Sequence, residues 1–295
     1  MQVILILGGQ GMSKKCYLCG GTEYIKRTGS VRDRKDLEIF ECTSCGLVFL
    51  SSFEHIKEDF YTKSKWRSRE TYNISIWLEL SATNDERRFQ YLKQSLVGHT
   101  LLDFGCGPGG FLLKARDLAI IAHGVELELR LSDYHKECGL TVFQNISDIN
   151  RKYDFITIFH VLEHLVNPKV VIGNLCELLS DGGQIIIEVP NADDALLTLY
   201  QCEAFSNFTY WSPHVFLYTA KTLKLLFSQL NLKVNYVKQI QRYPLSNHLY
   251  WLAKGKSNGQ EKWQFLDSPE MHIIYEKQLA VVGKCDTLLV SVSKR

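Results

Sequence analysis

The stretch "LLDFGCGPGGFLLKA", Leu101 to Ala115, decides how the rest of the chain is read. An apolar run enters an acidic residue, Asp103. A turn follows that holds Gly105, Gly107, Gly109 and Gly110 around Pro108, and then a segment patterned as a helix. A glycine turn between a strand and a helix N-terminus lets a bare backbone approach a small molecule where any Cβ would collide. The acid two residues before the first glycine argues against a dinucleotide, whose diphosphate it would repel. The chain also opens with a strand-then-glycine stretch, "MQVILILGGQGMSKK". There Gly8 to Gly11 lead into a cysteine module with no helix between, so this second stretch is set aside and residues 1–15 are read as an extension. Met12 is an alternative start within it.

Outward from the turn, the pattern alternates between continuous apolar strands and amphipathic helices. The strands are TLLDF, IIAHGVE, LTVFQ, YDFITIFH, QIIIEV, LKVNYVKQI and CDTLLVSVSK. This alternation predicts an α/β, Rossmann-like domain over residues 99–295, with a mostly parallel sheet covered on both faces. Ligands of such sheets sit at the carboxyl ends of the strands. Before it, residues 51–98 read as a helical linker or cap. Trp77, Leu78, Leu80, Phe89, Leu92 and Leu96 recur there at helical spacing from about Trp66 onward.

"DFGCGPGG" resembles the first motif of class I S-adenosylmethionine-dependent methyltransferases. The resemblance implies a seven-stranded sheet. It places Gly105, Cys106, Gly107 and Gly109 around the methionine part of the cofactor and assigns Asp103 to its amino-acid end, directly or through water. Glu126 ends the second strand, where an acid accepts from both ribose hydroxyls, and Glu128 is a nearby alternative. "YDFITIFHVLEHLVNP" resembles the fourth-strand region of small-molecule methyltransferases, with Leu162, Glu163, His164 and Pro168 in the recurrent places and His160 where the strand meets the cleft. The family pattern puts the adenine near Asn145, Ile146 and Ser147. "LCELLSDGGQIIIEVPN" repeats the helix–glycine–strand step into the fifth strand. The resemblance covers roughly Leu96 to Ile240.

Composition narrows the class further. The chain has 295 residues, a formal charge of +2 and nine cysteines. Near-balanced charge gives no electrostatic footprint for nucleic acid or an anionic membrane, and no apolar run approaches the roughly 20 residues of a membrane span. The opening VILIL is too short for a signal segment and lacks a preceding basic residue, so a cytoplasmic protein is expected. Five scattered cysteines read as reduced, near-core thiols. The other four, Cys16 and Cys19 in "CYLCGG" and Cys42 and Cys45 in "CTSCGL", form two Cys-x-x-Cys pairs. Two such pairs suit a closed tetrathiolate zinc site, and residues 16–50 are therefore read as a zinc-ribbon module folded by structural zinc. A redox dithiol is the alternative.

Four-cysteine modules ahead of the cofactor domain resemble those of methyltransferases acting on deoxysugars and surface polysaccharides. "YWSPHVFLYTAKTLKLLF" resembles an aromatic–His–helix segment of the same group, in which the His faces the substrate. The resemblance implies methyl transfer to a hydroxyl of a sugar or nucleotide-linked sugar. A hydroxyl is a poor nucleophile at neutral pH, so a general base is expected, with His160, His164 and His214 as candidates. Each is equally readable as a satisfied structural histidine. Substrate-cap insertions are expected near 192–215 and 241–272. In the latter, Tyr243, Tyr250 and Trp251 could stack on a sugar, and Lys254 and Lys256 could meet a diphosphate. The rival expectations are a non-sugar small molecule, or a nucleic acid or protein gripped by the ribbon. Oligomeric state is not readable.

Overall fold

Seven strands form the central sheet. They are β5 (Thr100–Phe104), β6 (Ile121–Val125), β7 (Thr141–Phe143), β8 (Tyr153–Phe159), β9 (Leu179–Pro190), β11 (Leu232–Ile240) and β12 (Thr287–Lys294). Their spatial order is β7-β6-β5-β8-β9-β12-β11. Neighbours from β7 through β9 pair in parallel, whereas β12 runs antiparallel to both β9 and β11. The sequence-predicted Rossmann-like fold is therefore present, with the chain direction reversed only at β12. Described are residues 15–57, 60–61 and 73–295, and the backbone of residues 3–5, in a computed structural model.

The sheet forms because its strands carry β-branched and large apolar side chains on both faces, the signature of a strand covered by helices on each side. Ile156, Ile158, Ile185, Ile187, Val189, Leu288 and Val290 are completely buried, joined by Leu223 and Phe227 of α7 (Ala220–Gln229) and by Ile172 and Leu175 of α4 (Pro168–Glu177). On the other face Leu101, Leu112 and Ala115 pack with Leu92 and Leu96 of α1 (Ile74–Leu96). Asn73 caps α1, its side chain accepting from the amides of Ser75 and Ile76. The part of this helix expected from Trp66 to Tyr72 lies outside the described residues, as does the Gly8 to Gly11 turn.

The cysteine module builds a second sheet. Val3–Leu5 (β1), Glu23–Lys26 (β2), Ile39–Cys42 (β3) and Val48–Leu50 (β4) pair antiparallel in that order. Its fifth strand comes from far along the chain. Phe216–Leu217 (β10) pairs with Phe49 and Val48, so the segment after His214 is stitched into the ribbon by backbone hydrogen bonds. Tyr17 packs on Phe216 at 5.2 Å between ring centres, and Gln229 of α7 donates to the Leu18 carbonyl at 2.7 Å.

The remaining helices are shorter or belong to the second half of the chain. These are α2 (Gly110–Ala115), α3 (Ser132–Glu137), α5 (Ala195–Thr198), α6 (Glu203–Thr209), α8 (Leu245–Lys254), α9 (Gly259–Lys262) and α10 (Pro269–Val281). Of these, α5 and α6 fall in the first expected insertion, and α8, α9 and the start of α10 in the second. Among the described residues no helix is long and apolar enough to cross a membrane.

Candidate active site

At the carboxyl end of β5 the chain turns through Gly105, Gly107 and Gly109, all at positive φ. A Cβ on Gly105 would run into the Val161 side chain, and one on Gly107 would meet the Trp77 ring of α1 at 2.9 Å. Bare backbone is therefore required here both by φ and by close neighbours. The turn is closed by Glu126, whose carboxylate accepts from the Gly107 amide at 2.8 Å and from the Glu128 amide at 2.9 Å. His135 meets the Gly107 carbonyl at 2.8 Å. The Glu128 carboxylate is held by Arg130 at 2.9 Å, whereas Glu126 is the acid that bonds to the turn.

A cavity of about 830 Å³ lies over this turn. Gly105, Cys106, Gly107 and Glu126 form one wall, α1 contributes Ile76, Trp77 and Leu80, and His160, His164, Trp211 and His214 form the far side. The volume is ample for a nucleoside-sized molecule and a small acceptor together. Two of the residues expected at the adenine do not reach it. β7 ends at Phe143, Asn145 points to solvent, and the short 3-10 turn Ile146–Asp148 packs Ile146 against the core. The neighbouring wall is made instead by Leu127 and Glu128.

Asp103 lies beneath the wall, 3% exposed, accepting from Thr157 Oγ1 at 2.7 Å. Burial raises its pKa to about 7, against the lowering effects of the Thr157 hydrogen bond and the Arg88 charge. Around it runs a buried charge network. Arg88 contacts Glu188 at 2.8 Å and Asp85 at 3.2 Å, and its guanidinium carbon stands 4.7 Å from the centre of the Phe159 ring. Arg87 donates to the same Glu188 oxygen at 2.9 Å. Burial raises the Glu188 pKa, but the Arg88 charge and a His160 hydrogen bond outweigh it and hold the carboxyl well below its usual value.

The three candidate histidines separate into two environments. His160 occupies left-handed backbone (φ 55°), an unusual conformation for a bulky residue. Its Nδ1 meets Glu163 at 3.1 Å, and its Nε2 lies 3.3 Å from both Glu188 and Arg242. Both ring nitrogens are thus engaged, which suits a positioning residue better than a base. His164 and His214 stand edge to face, 4.8 Å between ring centres, with Trp211 beside both. Burial lowers the His214 pKa to about 3, so its ring is neutral in the ligand-free protein. Behind the pair sits Glu163, completely buried, with Oε2 lacking a hydrogen-bond partner. Burial raises its pKa, but the His160 hydrogen bond and the nearby imidazoles bring it to about 2. Ligand atoms of Glu163, His164 and His214 all lie within 4.8 Å of one another, so the trio has the means either to share a proton or to hold a cation.

In the ribbon the four cysteine sulfurs converge. Cys16 and Cys45 are 3.5 Å apart, as are Cys19 and Cys42, and all four lie within 4.8 Å of one another. A disulfide would need about 2.05 Å, whereas a tetrahedral zinc with bonds near 2.3 Å spaces its sulfurs at about 3.8 Å. The donor set therefore fits one tetrathiolate ion, and all nine cysteines are free thiols. The site faces away from the cavity's chemistry, and its link to it is mechanical, through β4 and β10.

A glycine turn closed by an acid at the end of the next strand and this sheet order together define a Rossmann-like S-adenosylmethionine-dependent methyltransferase. The methyltransferase-domain family model matches residues 66–237, more than half of the chain, and the chain belongs to that family. Ubiquinone biosynthesis O-methyltransferase from Shewanella sp. is 27% identical over 118 residues, 35% of this chain and 50% of that protein. The protein of the same name from Coxiella burnetii is 31% identical over 117 residues, with the same shares of each chain. The chain thus spans about half the length of the curated relatives it matches. Among solved structures, magnesium protoporphyrin IX methyltransferase from Synechocystis with bound SAH superposes with a TM-score of 0.50 at 10% identity. That match covers 82% of this chain and all of the other, and it shows a shared fold.

Three sets of functional candidates were not singled out from sequence. Glu163 was seen only as part of the LEH triplet. The Asp85–Arg88–Glu188 network joins residues about a hundred positions apart. Trp77 and Trp211 read as ordinary helix and loop aromatics until the fold faces them across one cavity.

Proposed function

We propose that the chain moves a methyl group from S-adenosylmethionine to a hydroxyl oxygen of a small-molecule acceptor, with the His164–His214 pair as proton acceptor. One observation carries this reading: the cofactor-facing turn with Glu126 and the paired imidazoles face the same cavity. Bound S-adenosylmethionine supplies an electrophilic methyl on a sulfonium. The glycine turn takes up its amino-acid end, with the Asp103 carboxylate behind it, and Glu126 holds the ribose. Ile76, Trp77 and Leu80 exclude water from the reacting centre. The acceptor oxygen forms its bond to the methyl carbon as the carbon–sulfur bond breaks, and its proton passes to an imidazole of the pair. Glu163 stabilises the imidazolium so formed, and His160 fixes Glu163.

Supporting a sugar hydroxyl as acceptor are the cysteine ribbon ahead of the domain and the aromatic wall at Trp77 and Trp211. The second reading, a hydroxylated aromatic precursor of a quinone, is favoured by the names of the curated relatives. A structural zinc on Cys16, Cys19, Cys42 and Cys45 belongs to the proposal, and nine reduced thiols fit a cytoplasmic setting.

The test is isothermal titration with S-adenosylhomocysteine, alone and with a panel of nucleotide-linked sugars and dihydroxybenzoates, followed by methyl transfer to whichever tightens binding. Loss of cofactor binding in Glu126→Ala, with one acceptor class methylated and that transfer lost in His164→Ala/His214→Ala, is the expected result. Absence of cofactor binding by the unaltered chain would overturn the reading.

A further inference from the structure

The loop joining β2 to β3 leaves the ribbon and lies along α6 and the segment after it. Asp33 accepts from the Ser212 amide at 3.0 Å and from its hydroxyl at 2.7 Å, and the Arg32 amide donates to the Tyr210 carbonyl at 2.9 Å. Ser30 donates to Asn207 Oδ1 at 3.0 Å, and at Gly29 any side chain would strike the Ser206 backbone. The backbone of Arg32 is therefore pinned by the cap it touches. Its guanidinium carbon lies 4.6 Å from the Trp211 ring centre and 5.3 Å from that of Phe208.

Arg32 belongs to the walls of two cavities. One is the cavity over the glycine turn, and the other, of about 500 Å³, is lined by Phe208, Tyr250, Lys256 and Lys262. The neighbouring acid, Asp33, is occupied by Ser212. Among the described residues no ion pair joins Arg32, Lys256 or Lys262 to a carboxylate. An exposed guanidinium flanked by two rings keeps its five donors in a fixed fork, the geometry that matches an oxyanion. Three cations without acids suit a multiply charged group better than a single carboxylate.

We propose that the ribbon supplies Arg32 as a specificity residue, and that Arg32 with Lys256 and Lys262 binds a phosphate or diphosphate group carried by the acceptor. That the group is carried by an acceptor rests on the methyltransferase reading above, whereas the oxyanion site itself does not. Arg32 lines both cavities, so a molecule anchored on it would reach into the cavity that holds the imidazole pair. The ribbon is then part of the acceptor site as well as a brace for it.

The experiment titrates the full chain, saturated with S-adenosylhomocysteine, with inorganic pyrophosphate, and with acetate as the single-carboxylate control. Expected is saturable binding of pyrophosphate, weakened at least tenfold in Arg32→Gln, less in Arg32→Lys, and also weakened in Lys256→Gln/Lys262→Gln. Melting temperature and S-adenosylhomocysteine affinity should stay at the unaltered values in all three variants, which separates a lost site from a lost fold. Absence of pyrophosphate binding, equal binding in Arg32→Gln, or equal competition by acetate would overturn the proposal. Failure of S-adenosylhomocysteine to bind would instead remove the methyltransferase reading, and the pyrophosphate arms, run without it, would still decide the oxyanion site.

Discussion

Asp103 makes a quantitative prediction about cofactor binding. Its carboxyl is completely enclosed, and burial lifts its pKa to about 7. The groups facing it are Thr157 and Arg88, which favour ionisation, and Asp85 and Glu126, which oppose it. In the ligand-free protein about one molecule in ten is ionised at pH 6 and about nine in ten at pH 8. If the carboxylate form is the one that meets the cofactor's ammonium, apparent affinity for S-adenosylhomocysteine rises about tenfold from pH 6 to pH 8, or about 1.4 kcal/mol. Close to pH 7 about half a proton is released per molecule bound. Titration calorimetry in two buffers of different ionisation enthalpy reads that proton directly. Asp103→Asn should bind more weakly at pH 8 and show no pH slope. A flat profile in the unaltered chain, or the same slope in Asp103→Asn, would refute the assignment of this carboxyl to the cofactor's charged end.

Three further outcomes are expected. Glu126→Ala removes the acceptor of two backbone amides and, on the proposed reading, of the ribose hydroxyls, so S-adenosylhomocysteine should bind about 10- to 100-fold more weakly by calorimetry. Glu188→Ala leaves Arg87 and Arg88 facing a buried void of charge and should cost about 3–5 kcal/mol in denaturant unfolding, whereas Lys26→Ala, at an exposed pair, should cost under about 1 kcal/mol. His214 is buried neutral with its pKa depressed from 6.5 to about 3, so its contribution to stability is complete above pH 6.5 and is lost as pH falls toward 3. His214→Asn should lose less stability than the unaltered chain between pH 6.5 and 4 in thermal melts, and equal losses would count against a buried neutral ring.

Local chemistry written within one short segment was legible in the sequence. The turn after Asp103 needs positive φ and bare backbone at fixed spacing, and only glycines supply both, so motif and geometry coincide. The same holds for the cysteine pairs, where two knuckles of identical spacing can converge on one point. Glu126 was legible because it ends an apolar run, and the structure gives it the Gly107 amide while Arg130 pairs with Glu128. Less legible was whatever depended on how an element ends in space. Asn145 and Ile146 follow a strand that stops after three residues, and the buried volume beneath Ile146 turned it inward. His160 sits in the expected cleft, yet Glu163, Glu188 and Arg242, from three separate parts of the chain, hold both its nitrogens.

The ribbon is where the two kinds of legibility meet. Its cysteines announce a metal site, and a closed tetrathiolate has no open position for chemistry, so sequence alone leaves it as scaffolding. The pairing of β4 with β10 changes that reading. Phe216 and Leu217 stand two and three residues after His214, and their backbone hydrogen bonds to Val48 and Phe49 fix where that imidazole enters the cavity. Asp33 fixes Ser212 from the same module. The position of the proposed proton acceptor is thus set by a unit whose folding, with the proposed zinc on its four thiolates, would depend on the metal. Metal removal by a chelator, or Cys42→Ser, should therefore lower the melting temperature by at least about 10 °C, since structural zinc contributes on the order of 10 kcal/mol to such modules. Methyl transfer should fall further than S-adenosylhomocysteine affinity, because the glycine turn and Glu126 lie on the central sheet while His214 hangs from the ribbon. Equal losses in both would mean that the ribbon braces the whole domain rather than the acceptor wall.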